Sequence, residues 1–298
     1  MSPPRTTGGA NAALIRRTAV GRRRAGMLAR VAALLALVVL AACVLPAQQA
    51  KLLVSVFNEK TGEPLTNLTA ANFVVSDDKT PLTVVSAQYQ TSTLDIMLLV
   101  DTSLVGEMVR PLGAAFIAAL EEKDQMAIVS YHSSADLIQD FTSSKPLLQG
   151  ALAQVEYGNN PRVLDALFAT LDGGFENSTA RRAIILLSAG VEGNSRVPEA
   201  EVHRLTRGRR VSIYPVFVIG AERSMFQRLA DQSGGAYFAA RKLKLDPRPL
   251  AARVYSVARG QYEIEVSGVY TFGNRVEVAV QGLPKTDGRI RATALVVE

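Results

Sequence analysis

Apolar residues fall in two textures along this chain. DIMLLV at 95–100, MAIVSY at 126–131, AIILL at 183–187 and VSIYPVFVI at 211–219 are continuous runs without alternation, the mark of strands buried on both faces of a parallel sheet. Between and after them the apolar spacing is helical, at 112–122, 145–155, 163–171, 198–206, 224–232 and 247–259. Strand and helix alternate for about 165 residues, which predicts an α/β domain, a doubly wound and mostly parallel sheet over 92–259. Pro215 inside its run predicts an edge strand, a bulge or a boundary elsewhere, because proline cannot donate to a ladder. On either side the period is two. Short strands are expected from Lys51, at 72–76 and at 82–85, with turns at 60–64 and 77–80, and again at 261–266, 275–280 and 289–297. Three strands in about 40 residues bury too little to stand alone. The segments 43–91 and 260–298 are therefore expected to pair into one small sandwich-like β domain, with the α/β domain inserted between them.

The N-terminus is a third texture. Residues 1–42 hold seven arginines and no acid, and end in the apolar run VAALLALVVLAA at 31–42. That run has the length of a signal h-region and falls short of the roughly 20 residues a membrane-spanning helix needs. The formal charge of +6 belongs to this segment, since the other 256 residues carry 26 Lys/Arg against 27 Asp/Glu. Nucleic acid thereby drops out as a partner. The run closes on Leu40, Ala41, Ala42 and Cys43, which resembles the lipobox of bacterial lipoprotein signals. The resemblance implies cleavage before Cys43 and lipidation of its thiol, with the protein anchored in the cell envelope. A soluble export signal cut after Ala47 and an uncleaved anchor are the alternatives, and either Met1 or Met27 serves as start. The single cysteine excludes a disulfide framework and a Cys-rich zinc site.

Open parallel sheets bind ligands beyond the carboxyl ends of their strands, where the strand order reverses. The first strand here ends in Asp101, Thr102, Ser103, Leu104 and Val105. This resembles the D-x-S-x-S metal motif of von Willebrand factor type A domains. Residues 124–131, 141–145, 164–167 and 183–190 are similar to later parts of that family in order and spacing. With the flanking segment 68–75, the mature chain resembles the VWFA-related acidobacterial-type exported proteins. The resemblance implies a Rossmann-like fold with a metal-ion-dependent adhesion site, where Mg²⁺ or Mn²⁺ is held by an aspartate, two serines, a threonine and a second aspartate. Asp101 and Ser103 match. Val105 stands in the second serine slot, Pro161 in the threonine slot and Ala189 in the second aspartate slot. Magnesium demands near-octahedral oxygen ligands, so this set predicts a degenerate site without functional affinity, with no cofactor. Glu192, three residues past the vacant aspartate position, is expected to be a solvated loop acid, the alternative being a replacement ligand.

Other polar residues offer weaker chemistry. His132 beside Ser133 and Ser134, together with Asp101, suggests a hydrolase triad, but there is no G-x-S-x-G elbow and a polar strand end is the expected role. His203 is expected on a solvated helix face. Arg204, Arg207, Arg209 and Arg210 form a basic cluster, either plain surface or a site for an anion or lipid head group. The stretch 233–236 reads as a turn before a last short strand. The expected function is a non-enzymatic protein-interaction module that binds a protein partner through the loops at the top of the sheet. Metal-dependent adhesion with a modified ligand set and an exported hydrolase are the alternatives.

Overall fold

A computed structural model describes residues 48–244, 246–271, 276–284 and 287–297. The export segment 1–42, Cys43 with its expected lipid, and the Ala47 cleavage alternative lie outside the described residues. The chain opens with β1 (Gln48–Asn58), β2 (Phe73–Asp77) and β3 (Thr80–Thr91). The expected turn between β2 and β3 is a two-residue hairpin, with Asp78 and Lys79 both at positive φ.

The chain then enters an alternating stretch: β4 (Leu94–Asp101), α1 (Arg110–Ala119), β5 (Gln125–Tyr131), β6 (Ala135–Thr142), α2 (Lys145–Ala153) and α3 (Val163–Gly173). It continues with β7 (Arg181–Ser188), α4 (Glu199–Arg209), β8 (Ser212–Phe217), α5 (Arg223–Gln232), β9 (Phe238–Ala239), α6 (Ala240–Leu243) and α7 (Pro247–Arg259). These strands form one sheet in the order β6-β5-β4-β7-β8-β9, parallel except for β6. Every residue of β4 is buried, as its unbroken apolar run requires. Leu94, Ile96, Leu98 and Val100 enter a core shared with α1, α2 and α7, while Met97 and Leu99 enter a second core with α3, α4 and α5. Helices thus cover both faces of the sheet. Pro215 lies in β8, which β9 pairs only at Val216 and Phe217, so the strand is effectively an edge at the proline.

After α7 come β10 (Gly260–Gly268), β11 (Val276–Val280) and β12 (Ile290–Val296). The first and last strands of the chain do meet, in one six-stranded antiparallel sheet ordered β11-β2-β3-β10-β1-β12. Where two facing sheets of a sandwich were expected, a single sheet curls until the Cα atoms of its edge strands β11 and β12 approach within 8 Å. Leu52, Val54, Phe73, Val75, Tyr262 and Ile264 fill its concave side, which supplies the apolar partner that a second sheet was expected to provide.

The two sheets are joined by buried polar bonds. Ser55 Oγ donates to Gly234 O at 2.8 Å, Gln261 Nε2 to Ser55 Oγ at 2.9 Å and Thr293 Oγ1 to Gly235 O at 2.5 Å. Phe57 stacks on Phe238 beside them.

Candidate functional site

β4 has β5 on one side and β7 on the other, so the strand order reverses at the carboxyl end of β4, where Asp101 lies. Asp101 is fully buried. Its Oδ1 accepts from the Ser103 N–H at 2.9 Å, and its Oδ2 accepts from the Ala189 N–H, also at 2.9 Å. The residue standing where the resemblance expects a second aspartate therefore offers its backbone to the first. Thr102 N–H donates to Tyr131 O at 2.8 Å and Gly158 N–H to Thr102 O at 2.8 Å, tying the β4, β5 and 154–162 loops together. The Tyr131 hydroxyl donates to Leu187 O at 3.1 Å. Burial, reinforced by Asp101 nearby, pushes the Tyr131 phenol well above its ordinary range, so it stays a neutral donor.

Gly106 completes this arrangement and escaped the reading of the sequence. A Cβ there would meet Asp101 O at 2.2 Å and Asp101 Oδ1 at 2.9 Å, so only glycine lets the loop fold over the carboxylate. The one signal available in the sequence was a glycine directly after the motif. Ser103 is also fully buried, and its Oγ has no hydrogen-bond partner among the described residues.

Glu192 corrects its expectation. It is neither a solvated acid nor directed at Asp101: Oε2 accepts from Val163 N–H at 3.0 Å and Oε1 from Ser195 N–H at 2.6 Å. Ser195 Oγ accepts from the Leu164 and Asp165 N–H groups, and Asp165 Oδ1 accepts in return from Arg196 and Val197. These bonds satisfy the free N–H groups at the start of α3 and pin the 190–197 loop to it. Pro161 is buried and contributes its carbonyl, which accepts from Gly193 N–H at 2.8 Å. Val105 is exposed. The side-chain oxygens at this centre include those of Asp101 and Ser103 and the buried Ser188 hydroxyl, which accepts from Gly190 N–H at 2.9 Å. No group of three His, Cys, Asp or Glu side chains able to hold a metal occurs among the described residues.

Around this closed centre the surface mixes apolar side chains with the exposed Glu107, Arg110 and Glu156. Leu104 is 76% exposed, and Val105, Met108 and Tyr157 are exposed as well. Tyr157 lies within electrostatic reach of Arg110, Glu107 and Asp101. Partial burial raises its phenol above the usual value, with Arg110 opposing.

The remaining candidates do not assemble. His132 Nδ1 pairs with the hydroxyl and the N–H of its own neighbour Ser133, at 2.9 and 2.7 Å, and its ring rests against Gly158. Both oxygens of Asp101 are committed to backbone, so no His132–Asp101 pair forms. His203 is buried rather than on a solvated face. Its Nε2–H donates to Glu199 Oε1 at 3.0 Å, and burial lowers its pKa. The arginine cluster disperses. Arg204 pairs with Glu201, Arg209 donates to Asp172 O, and Arg210 turns the helix end at positive φ, leaving Arg207 apart from the others. Ser233 and Gly234 form the expected turn, with Ser233 Oγ accepting from Ile213 N–H.

No protein-family model and no curated protein matches the chain by sequence. Among solved structures it is similar to proximal thread matrix protein 1 from the mussel byssus with a zinc-occupied MIDAS motif. That match has 18% identity and a TM-score of 0.50, covering 64% of this chain and 50% of the other. It is also similar to a von Willebrand factor type A protein from Catenulispora acidiphila, at 12% identity and TM-score 0.47, over 85% of this chain and 75% of that one. An aerotolerance-related membrane protein from Bacteroides fragilis matches at 11% identity and TM-score 0.46, over 56% of this chain and 98% of its own. The chain thus spans half the length of the mussel structure. The likeness to the mussel structure is one of fold, in keeping with the type A resemblance of the motif at Asp101.

Proposed function

We propose that this chain is an exported, lipid-anchored, non-enzymatic interaction module whose type A domain binds a protein partner without a metal ion. The observation that carries the reading is the state of Asp101. Both its carboxylate oxygens accept from backbone N–H groups, and Val105, Pro161 and Ala189 leave the remaining ligand slots without side-chain oxygen. A hard dication needs several oxygen ligands and carboxylate charge, so this donor set does not fit Mg²⁺ or Mn²⁺. Recognition then falls to the exposed Leu104, Val105, Met108 and Tyr157, with the partner contributing apolar surface. The anchor is the lipid on Cys43, which leaves the loops at the top of the sheet free for the partner.

Titration of the purified chain with Mg²⁺ and Mn²⁺ tests the metal claim directly. No saturable binding below millimolar concentration is expected, and micromolar binding abolished by Asp101→Ala would overturn it. Capture of the partner from envelope extracts is expected to survive EDTA and to fall with Leu104→Asp. Intact-mass measurement on the membrane fraction is expected to give mature chains that begin at a diacylated Cys43.

A second reading, metal-dependent adhesion, is favoured by one observation. The buried Ser103 Oγ lies two residues from Asp101 and has no partner among the described residues. That reading requires capture to disappear with EDTA.

A further inference from the structure

Away from the loop face, a cleft of about 830 Å³ lies between the α4 and α5 helices and the β11 and β12 edge strands. Arg207 and Arg228 line its helical wall, Arg289 and Arg291 its strand wall, and the acids Asp231 and Glu277 also border it. Two of the four arginines are engaged. Arg228 makes a two-pronged ion pair with Glu199 at 2.8 and 2.7 Å, and Arg291 pairs with Asp231. Arg207 and Arg289 have no hydrogen bond or ion pair from their guanidinium groups among the described residues. Arg207 is half-buried and Arg289 exposed. Arg289 also borders a second cavity of about 360 Å³, where Arg223 pairs with Glu59 and Lys60 with Asp287, so the cations beside it there are already neutralised.

A guanidinium presents its N–H groups as a planar fork that matches the oxygens of a phosphate. Free forks on opposite walls of one cleft suit a ligand with several such oxygens. We propose that this cleft binds a multivalent phosphate, with Arg207 and Arg289 as its direct donors and Arg228 and Arg291 held in place beside them by their acids. The phosphate is either free in solution or borne on a lipid head group. The site is separate from the loop face, so it stands or falls independently of the partner reading above.

The test measures binding of tripolyphosphate to the full chain by calorimetry, and co-sedimentation with phosphatidylglycerol vesicles against phosphatidylcholine ones. The double variant Arg207→Gln/Arg289→Gln is expected to weaken binding at least about tenfold, the loss of one or more charge-assisted hydrogen bonds. The control Arg204→Gln/Arg210→Gln, outside the cleft, is expected to keep it. Thermal melting of both variants shows that they fold. Tripolyphosphate binding without vesicle capture assigns a soluble ligand, and vesicle capture lost in the cleft variant assigns a head group. Absence of both, or equal weakening by the control pair, overturns the proposal.

Discussion

The Asp101 carboxylate holds N–H groups from two loops, those of Ser103 and Ala189, at a place closed to solvent. A buried donor left unpaired costs about 1–3 kcal/mol, so Asp101→Ala is expected to lower stability by roughly 2–5 kcal/mol in urea unfolding. If Asp101 is a latch, the loss is the same in Mg²⁺ and in EDTA. Asp101→Asn retains one acceptor oxygen and is expected to cost about half as much. Gly106→Ala drives a methyl group into the Asp101 carbonyl and is expected to match Asp101→Ala in melting temperature, although it removes no hydrogen-bonding group. The place of Asp101 and Ser103 at the end of the first α/β strand was legible because motif spacing is a property of the chain. Gly106 was not, because its need comes from how closely the loop crosses the strand end. Glu192 was misread for the same reason: its partners at Val163 and Ser195 are brought to it by the loop path.

At the level of elements, α4 carries a pH-sensitive stripe. Burial lowers the pKa of His203 below its ordinary value of 6.5, and the Glu199 bond only partly offsets this. A histidine more acidic in the folded than in the unfolded chain binds fewer protons when folded. Its contribution is therefore complete above about pH 6.5 and is lost as pH falls below that value. Burial would raise the Glu199 carboxyl, but its bonds to Arg228 and His203 outweigh this and hold it below its ordinary value of 4.5. That contribution is present above pH 4.5 and is lost as pH falls through the lowered value. Stability is thus expected to decline in two stages on acidification, and His203→Gln is expected to abolish the upper stage in urea titrations between pH 7 and 5. The stripe escaped sequence reading because the Arg-rich α4 has the look of a solvated helix until α5 brings Arg228 against it. β6 was missed outright. ADLIQDFT at 135–142 has weak alternation and Leu137 is exposed, so nothing but pairing with β5 makes it a strand. Strands buried on both faces, β4 and β7, were legible from composition alone, since their central residues, 96–100 and 183–187, are all apolar.

On the scale of the whole molecule, the α/β part is clamped where the chain enters and leaves it. Asp124 accepts from the N–H of Leu94, the first residue of β4, and pairs with Arg259, the last residue of α7, at 2.9 and 2.7 Å. Removing Asp124 leaves the buried Arg259 guanidinium with Glu121 alone, so Asp124→Ala is expected to cost about 3 kcal/mol, the low end for a broken buried pair, seen as a lower urea midpoint. The chain's periodicities by themselves determined the alternating α/β stretch and the β segments on either side of it, because burial on one face or two dictates local apolar spacing. Tertiary structure alone decided that the terminal strands make one curled sheet, that Asp101 bonds backbone across two loops, and that Arg207 and Arg289 line one cleft. Each of these depends on groups far apart in sequence meeting in space, and residue order encodes such meetings only through the packing of the whole fold.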